Sequence, residues 1–266
     1  MALLYEKNYR SKNMLSDKHI ADQKKHLEEL GNRLGYEVAF SRQFIEESNR
    51  PDIEKKWMSS VMASCNYGAF LIKILISGLN EYRHLPEEQL GFYIGKIAIQ
   101  PFLEIINSFE QITNQFIDEN QQFKTILDER VKEKISLLEE NWENDSKGKS
   151  KKLKSNLIFQ LKHKIHEMAF IRDTLRKRKI IDNEDYEILS FAWTIRNSMH
   201  FDFTAIRDIN FSYPDIKTGK VYHFNFSKGQ ELYHPVDLLS YYVITEQIIF
   251  IHLKILQRFS TVVQTT

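Results

Sequence analysis

Arg196-Asn197-Ser198-Met199-His200 is the stretch of this chain richest in residue types that do chemistry at close spacing. Each residue of an α-helix turns about 100°, so Arg196 and His200 stand about 40° apart and Asn197 falls within the same arc. One helical strip thus offers a fixed positive charge, a titratable imidazole and a neutral hydrogen-bonding group. An anionic substrate such as a phosphodiester needs that combination.

Cleaving RNA without a metal requires three events. The 2′-hydroxyl loses a proton, the charge on the phosphorane is stabilised, and the leaving 5′-oxygen gains a proton. Histidine moves protons near neutral pH because its reference pKa is about 6.5. Arginine braces phosphate oxygens through its planar fork and stays charged throughout. Asn197 suits orienting the imidazole, or binding a phosphate or a base edge. One copy of the strip holds a single histidine. Full acid–base catalysis therefore calls for water, another side chain, or a second subunit across a two-fold axis.

The elements that position this strip follow from periodicity and breakers. Nine glycines and five prolines in 266 residues leave room for long helices. Ser16 or Asp17 is placed to cap a first helix running to about Ser48. Pro51-Asp52 opens a second, with an apolar centre at Trp57, Val61, Met62, Phe70, Leu71, Ile74 and Leu75. Pro86-Glu87-Glu88 opens a third, and Pro101 is a point where it kinks or splits. Phe123, Leu127, Val131, Ile135, Leu138 and Trp142 form an apolar stripe at helical spacing, read as core packing rather than a partner seam. Leu157, Leu161, Ile165, Met168 and Leu175 mark one further amphipathic helix, ending in Arg176-Lys177-Arg178-Lys179. Asp182-Asn183-Glu184-Asp185 starts the helix carrying the strip, with Ile188, Leu189, Ala192 and Trp193 on its buried side.

Beyond Phe203 the period changes from helical to alternating. Phe211 and Tyr213 precede, and Tyr222, Phe224 and Phe226 follow, a Pro- and Gly-containing turn. This reads as a β-hairpin. Pro235 and Asp237 then open a last helix to about Phe259. The expected fold is all-α, an antiparallel helical bundle with a small β-hairpin insertion before the last helix. Glu139, Glu140, Glu143 and Asp145 precede five lysines between residues 147 and 154, which suggests an exposed connection. The expected organisation is an N-terminal helical region over 1–145 and a second helical region with the hairpin over 152–266.

Bulk properties narrow the classes. Lys plus Arg is 37 against 36 Asp plus Glu, so a nucleic-acid surface would have to be a local patch. A single cysteine, Cys65, excludes an intramolecular disulfide and suits a reducing, intracellular compartment. It reads as a small core residue. The N-terminal residues have no apolar core of the secretory kind. The longest apolar stretches, 69–79 and 236–256, are interrupted by charges and read as buried helices rather than membrane spans.

Other clusters are weaker. His163, His166 and Glu167 have a metal-ligand spacing, but Lys162 and Lys164 flank them and repel a cation, so no metal and no cofactor is expected. The lysines of 147–154 and the run 176–179 read as solvated charge ahead of an RNA track. Tyr222, Phe224 and Phe226 could stack bases, but more simply form the buried face of the hairpin.

Arg196-Asn197-Ser198-Met199-His200 resembles the signature of the HEPN superfamily (higher eukaryotes and prokaryotes nucleotide-binding). The resemblance covers 182–200 closely and 153–259 in architecture. It implies an all-α antiparallel bundle and, for many members, a metal-independent endoribonuclease of defence or toxin–antitoxin systems. His200 would then be the acid/base, Arg196 the phosphate brace and Asn197 the orienting residue. It further implies RNA as substrate, a homodimer with a composite site, a cognate antitoxin or other partner protein, a cytoplasmic location and no membrane. The family often adds an acid from a neighbouring helix, for which Glu110 and Glu167 are the candidates. The family's usual spacing puts four to six residues between arginine and histidine, whereas this chain has three. A non-catalytic nucleotide-binding or protein-interaction module is the alternative.

Overall fold

A computed structural model describes residues 16–47, 49–81, 87–144, 151–199, 203–215, 217–232 and 238–260. Among them are eight α-helices and one hairpin. The helices are α1 (Asp17–Glu46), α2 (Asp52–Gly78), α3 (Glu87–Glu119), α4 (Gln121–Asn144), α5 (Lys151–Lys162), α6 (Met168–Lys177), α7 (Asn183–Met199) and α8 (Leu238–Ser260). The strands β1 (Ile209–Pro214) and β2 (Val221–Phe226) lie between α7 and α8. The chain is therefore all-α with a two-stranded insertion before its last helix, as the periodicities indicate.

The boundaries have local causes. The Ser16 hydroxyl accepts from the His19 N–H at 3.1 Å and caps α1. Pro51 precedes α2, with Asp52 and Glu54 in its first turn complementing the helix dipole. Pro101 lies inside α3 without splitting it, and packs where α2 offers Gly68. At the end of α6, Lys179 takes φ 57° and the Ile180 N–H bonds the Leu175 carbonyl at 2.9 Å, a Schellman closure.

One expected helix is two. The run through Leu157 and Leu175 breaks into α5, a 3₁₀ turn (His163–His166) and α6, with Glu167 extended. His163 Nδ1 lies 2.8 Å from the Phe159 carbonyl, the acceptor a continuing α-helix would give to the His163 N–H. A side chain thus competes with the backbone ladder where the helix tightens.

By contacts the chain clusters into two units that cut across the expected boundary near residue 145. The first comprises 1–108 and 191–250, the second 109–190 and 251–266. In the first, α1 packs along α2 over a core of Leu27, Leu30, Leu34, Trp57, Met58 and Val61. The indole of Trp57 donates to the Ile249 carbonyl at 3.3 Å. The hairpin pairs antiparallel from Ile209 with Phe226 to Pro214 with Val221. Tyr222, Phe224 and Phe226 form its buried face, and Phe224 meets Phe191 and Tyr241. In the second unit Phe116, Phe123 and Phe259 cluster with ring centroids 4.9–6.2 Å apart. Phe123, Leu127 and Val131 are buried there, while Ile135, Leu138 and Trp142 are half-buried.

The two apolar stretches differ. Both α2 and α8 are long and apolar enough to cross a membrane by length and composition. The apolar window of α8 is 83% buried within the protein, that of α2 only 33%. Tyr67, Phe70 and Ile74 leave an exposed apolar face on α2, where the sequence suggested a deeply buried helix.

Candidate functional site

Asp182 caps α7: its carboxylate accepts from the Asp185 N–H at 2.8 Å, and the Asp185 side chain bonds the Asp182 N–H at 3.4 Å. This reciprocal box fixes where the helix starts. Ile188, Leu189, Phe191, Ala192, Trp193 and Ile195 are buried and set its rotation. The last turn then presents Arg196 half-buried and Asn197 exposed, with Ser198 fully inside. His200 lies outside the described residues.

Two amides hold the Arg196 guanidinium. Nε donates to Asn107 Oδ1 at 3.3 Å, and Nη1 donates to Asn197 Oδ1 at 3.4 Å. Asn107 is an exposed residue of α3. Amide oxygens orient a guanidinium without cancelling its charge, unlike a carboxylate. Three turns earlier on the same face of α3, about 16 Å away along the axis, the Lys96 ammonium lies 4.9 Å from the Phe203 ring. One face of α3 therefore supports Arg196 and Phe203.

Hydrogen bonds tie the end of α7 to the chain from Phe203 onward. The Ser198 hydroxyl donates to the Thr194 carbonyl at 2.8 Å and accepts from the Ile206 N–H at 3.3 Å. Arg207 donates to the Thr194 hydroxyl at 2.6 Å. Phe203 takes φ 59°, a left-handed conformation costing about 1–2 kcal/mol in a non-glycine residue. Its carbonyl accepts from the Leu232 N–H at 2.9 Å, and the Ala205 N–H donates to the Gln230 carbonyl at 2.8 Å. The residues following the hairpin thus hold the strained turn that follows the motif.

Of the two candidate acids, Glu110 is three residues beyond Asn107 on α3. Glu110 and Glu167 belong to the second unit, whereas Arg196 belongs to the first. Glu167 is exposed and pairs with Lys164 at 3.8 Å. In the basic run, Arg178 bonds Glu129 and Glu133, Lys177 bonds Glu133, and Arg176 bonds Asp173 while lying over the Tyr186 ring. Acids answer these cations, so they read as surface ion pairs. His163 bonds the Phe159 carbonyl and His166 bonds Asn114. No cluster of three or more metal-ligating side chains occurs among the described residues. Burial pushes the Cys65 thiol up, with Glu37 and Glu104 adding to the effect, so it is an inert core residue. The lysines at 147 and 149 lie outside the described residues.

Sequence reasoning missed Asn107, which has no motif of its own and is one of several polar residues between 102 and 112. It also missed Glu37 and Glu246, which are buried at the positions their helices' apolar stripes turn inward. Glu37 follows Leu27, Leu30 and Leu34 at spacings of three and four, and that signal was available. Comparison of the chain with models of protein families, with curated proteins and with solved structures found no match.

Proposed function

We propose that this chain is a HEPN-like, metal-independent endoribonuclease that acts as a homodimer in a defence or toxin–antitoxin setting. The observation supporting it is that the amide oxygens of Asn107 and Asn197 fix the direction of the Arg196 guanidinium at the end of α7. In this reading the phosphodiester rests on the guanidinium. His200, one helical turn on in the sequence, takes the 2′-hydroxyl proton. The 2′-oxygen attacks phosphorus, and Arg196 stabilises the charge on the phosphorane. The bond to the 5′-oxygen breaks, leaving a 2′,3′-cyclic phosphate. A proton from His200 of the partner subunit completes the 5′-hydroxyl product. Asn197 acts through Arg196, because its oxygen is committed to the guanidinium. The reading carries with it a cytoplasmic location, a cognate antitoxin or other partner protein, and no membrane.

The test is digestion of a mixed-sequence RNA in EDTA by wild type, His200→Ala and Arg196→Ala. The proposal expects cleavage by wild type and a loss of at least about a hundredfold in either variant, the usual worth of a positioned acid–base group for His200 and of a charge-stabilising donor for Arg196. Equal cleavage by all three, or none by the wild type, overturns it.

A further inference from the structure

A concavity of about 340 Å³ opens in the first unit and uses none of the strip residues. That is within the range of small-molecule sites. Glu37 from α1 and Glu246 from α8 line it, both at 6% exposure or less. Tyr36, Phe40 and Phe250 supply aromatic walls, and Lys217 reaches in from the hairpin turn. Tyr36 and Phe250 remain 61% and 44% exposed, and the Phe40 and Phe250 rings lie 6.1 Å apart.

Two observations point to a ligand. First, Glu37 Oε1 accepts from the Tyr242 hydroxyl at 2.9 Å, but Oε2 is buried with no hydrogen-bond partner among the described residues. Burying a polar atom unpaired is costly, so such an atom in a cavity wall marks a position that an incoming donor would satisfy. Second, the chain already places an ammonium here. Lys217 Nζ is bonded to Glu246 Oε1 and lies 5.0 Å from the centre of the Tyr36 ring. A carboxylate on one side and an aromatic face on the other is how organic cations are held.

We propose that this pocket binds a small organic cation, a primary ammonium or guanidinium carried on a short apolar or aromatic stem. The head group donates to Glu37 Oε2 and pairs with Glu246, and the stem lies among Tyr36, Phe40 and Phe250. Lys217 is the resident competitor, displaced to solvent when the ligand enters; its side chain is already half exposed. The charge environment agrees. Burial raises the Glu37 carboxyl above its ordinary range and the Glu246 charge adds to this, while the Tyr242 hydroxyl and Lys217 only partly oppose them. An added cation supplies the missing counter-charge.

Isothermal titration of the full chain with phenethylammonium and agmatine, against 2-phenylethanol and phenylacetate, tests this. The expected result is that the two cations bind and that the alcohol and the carboxylate bind at least roughly tenfold more weakly. Glu37→Gln and Glu246→Gln should each weaken cation binding by roughly tenfold with folding monitored by circular dichroism. Lys217→Ala should tighten it severalfold, which removal of a merely structural ion pair would not do. If either Gln variant fails to fold, the isostere series on wild type and Lys217→Ala decides. Equal binding of alcohol and ammonium, no binding to wild type and Lys217→Ala alike, or weaker binding by Lys217→Ala overturns the proposal.

Discussion

Asn107 separates orientation from charge at Arg196. Its amide oxygen aims the guanidinium without itself adding a negative charge. Asn107→Ala should lower RNA cleavage by roughly fivefold to tenfold, the worth of one hydrogen bond of about 1 kcal/mol. Asn107→Asp should lower it further, because a carboxylate at that position pairs with Arg196 and competes with the phosphate. Rates of a single-turnover digestion check the order, and an Asp variant more active than the Ala variant would contradict it. His252 makes a second prediction, about stability. It is fully buried, lies 3.1 Å from the Thr113 hydroxyl and stacks on Phe109 at 3.9 Å. Burial lowers its pKa to about 3. The unfolded chain titrates near 6.5, so between these values the unfolded state binds the extra proton. Stability is therefore fully present above about pH 6.5 and falls with acid towards pH 3, by up to about 1.4 kcal/mol per pH unit. His252→Leu should remove that slope from urea midpoints measured across the window; parallel slopes would refute it.

Two helix–element contacts carry predictions of their own. At Gly68 an added Cβ would stand 2.3 Å from Pro101 Cγ, a rigid ring that cannot swing away. Gly68→Ala should destabilise the fold by about 1–3 kcal/mol, the range of overpacked cores, read as a lower denaturation midpoint. The hairpin turn is tied to α1 through Asp215, which is 1% exposed and 3.1 Å from Arg33. Burial alone would raise this carboxyl. Thr218, the Lys217 N–H and the Arg33 guanidinium outweigh it and hold it below the ordinary carboxylate range. The stability this contributes is present above the unfolded pKa, about 3.9, and is lost as pH falls through the lower folded value. Asp215→Asn should cost about 1–3 kcal/mol at neutral pH by removing the buried charge that faces Arg33, which then keeps only the half-exposed Glu29 at 3.3 Å. A midpoint unchanged from wild type would show the tie to be inconsequential. These elements also show where sequence reading succeeds. Ser16, Pro51 and Asp182 mark helix starts because caps are local. The alternation from Phe211 to Phe226 marks the hairpin because a period of two survives in any context. The break at Glu167 was not legible, because a side-chain hydrogen bond to Phe159 leaves the apolar spacing of Leu157 to Leu175 intact.

Across the whole molecule, near-neutral net charge and balanced ion pairs leave recognition to local sites rather than to a global field. Arg196 and Asn197 were legible as a strip because helical spacing is written in sequence. Asn107 and the Glu37–Glu246 pocket were not assembled, because each depends on helices far apart in the chain. The proposed composite site makes oligomeric state a direct expectation: light scattering should give twice 31.7 kDa, and a monomer at working concentration would remove the second histidine from the mechanism. The most direct measurement is the chemistry of the RNA ends produced by wild-type protein in EDTA. The account predicts 2′,3′-cyclic phosphate and 5′-hydroxyl ends, with no cut at a linkage whose 2′-hydroxyl is replaced by hydrogen. Products with 3′-hydroxyl and 5′-phosphate ends, or cleavage at the deoxy linkage, would contradict it.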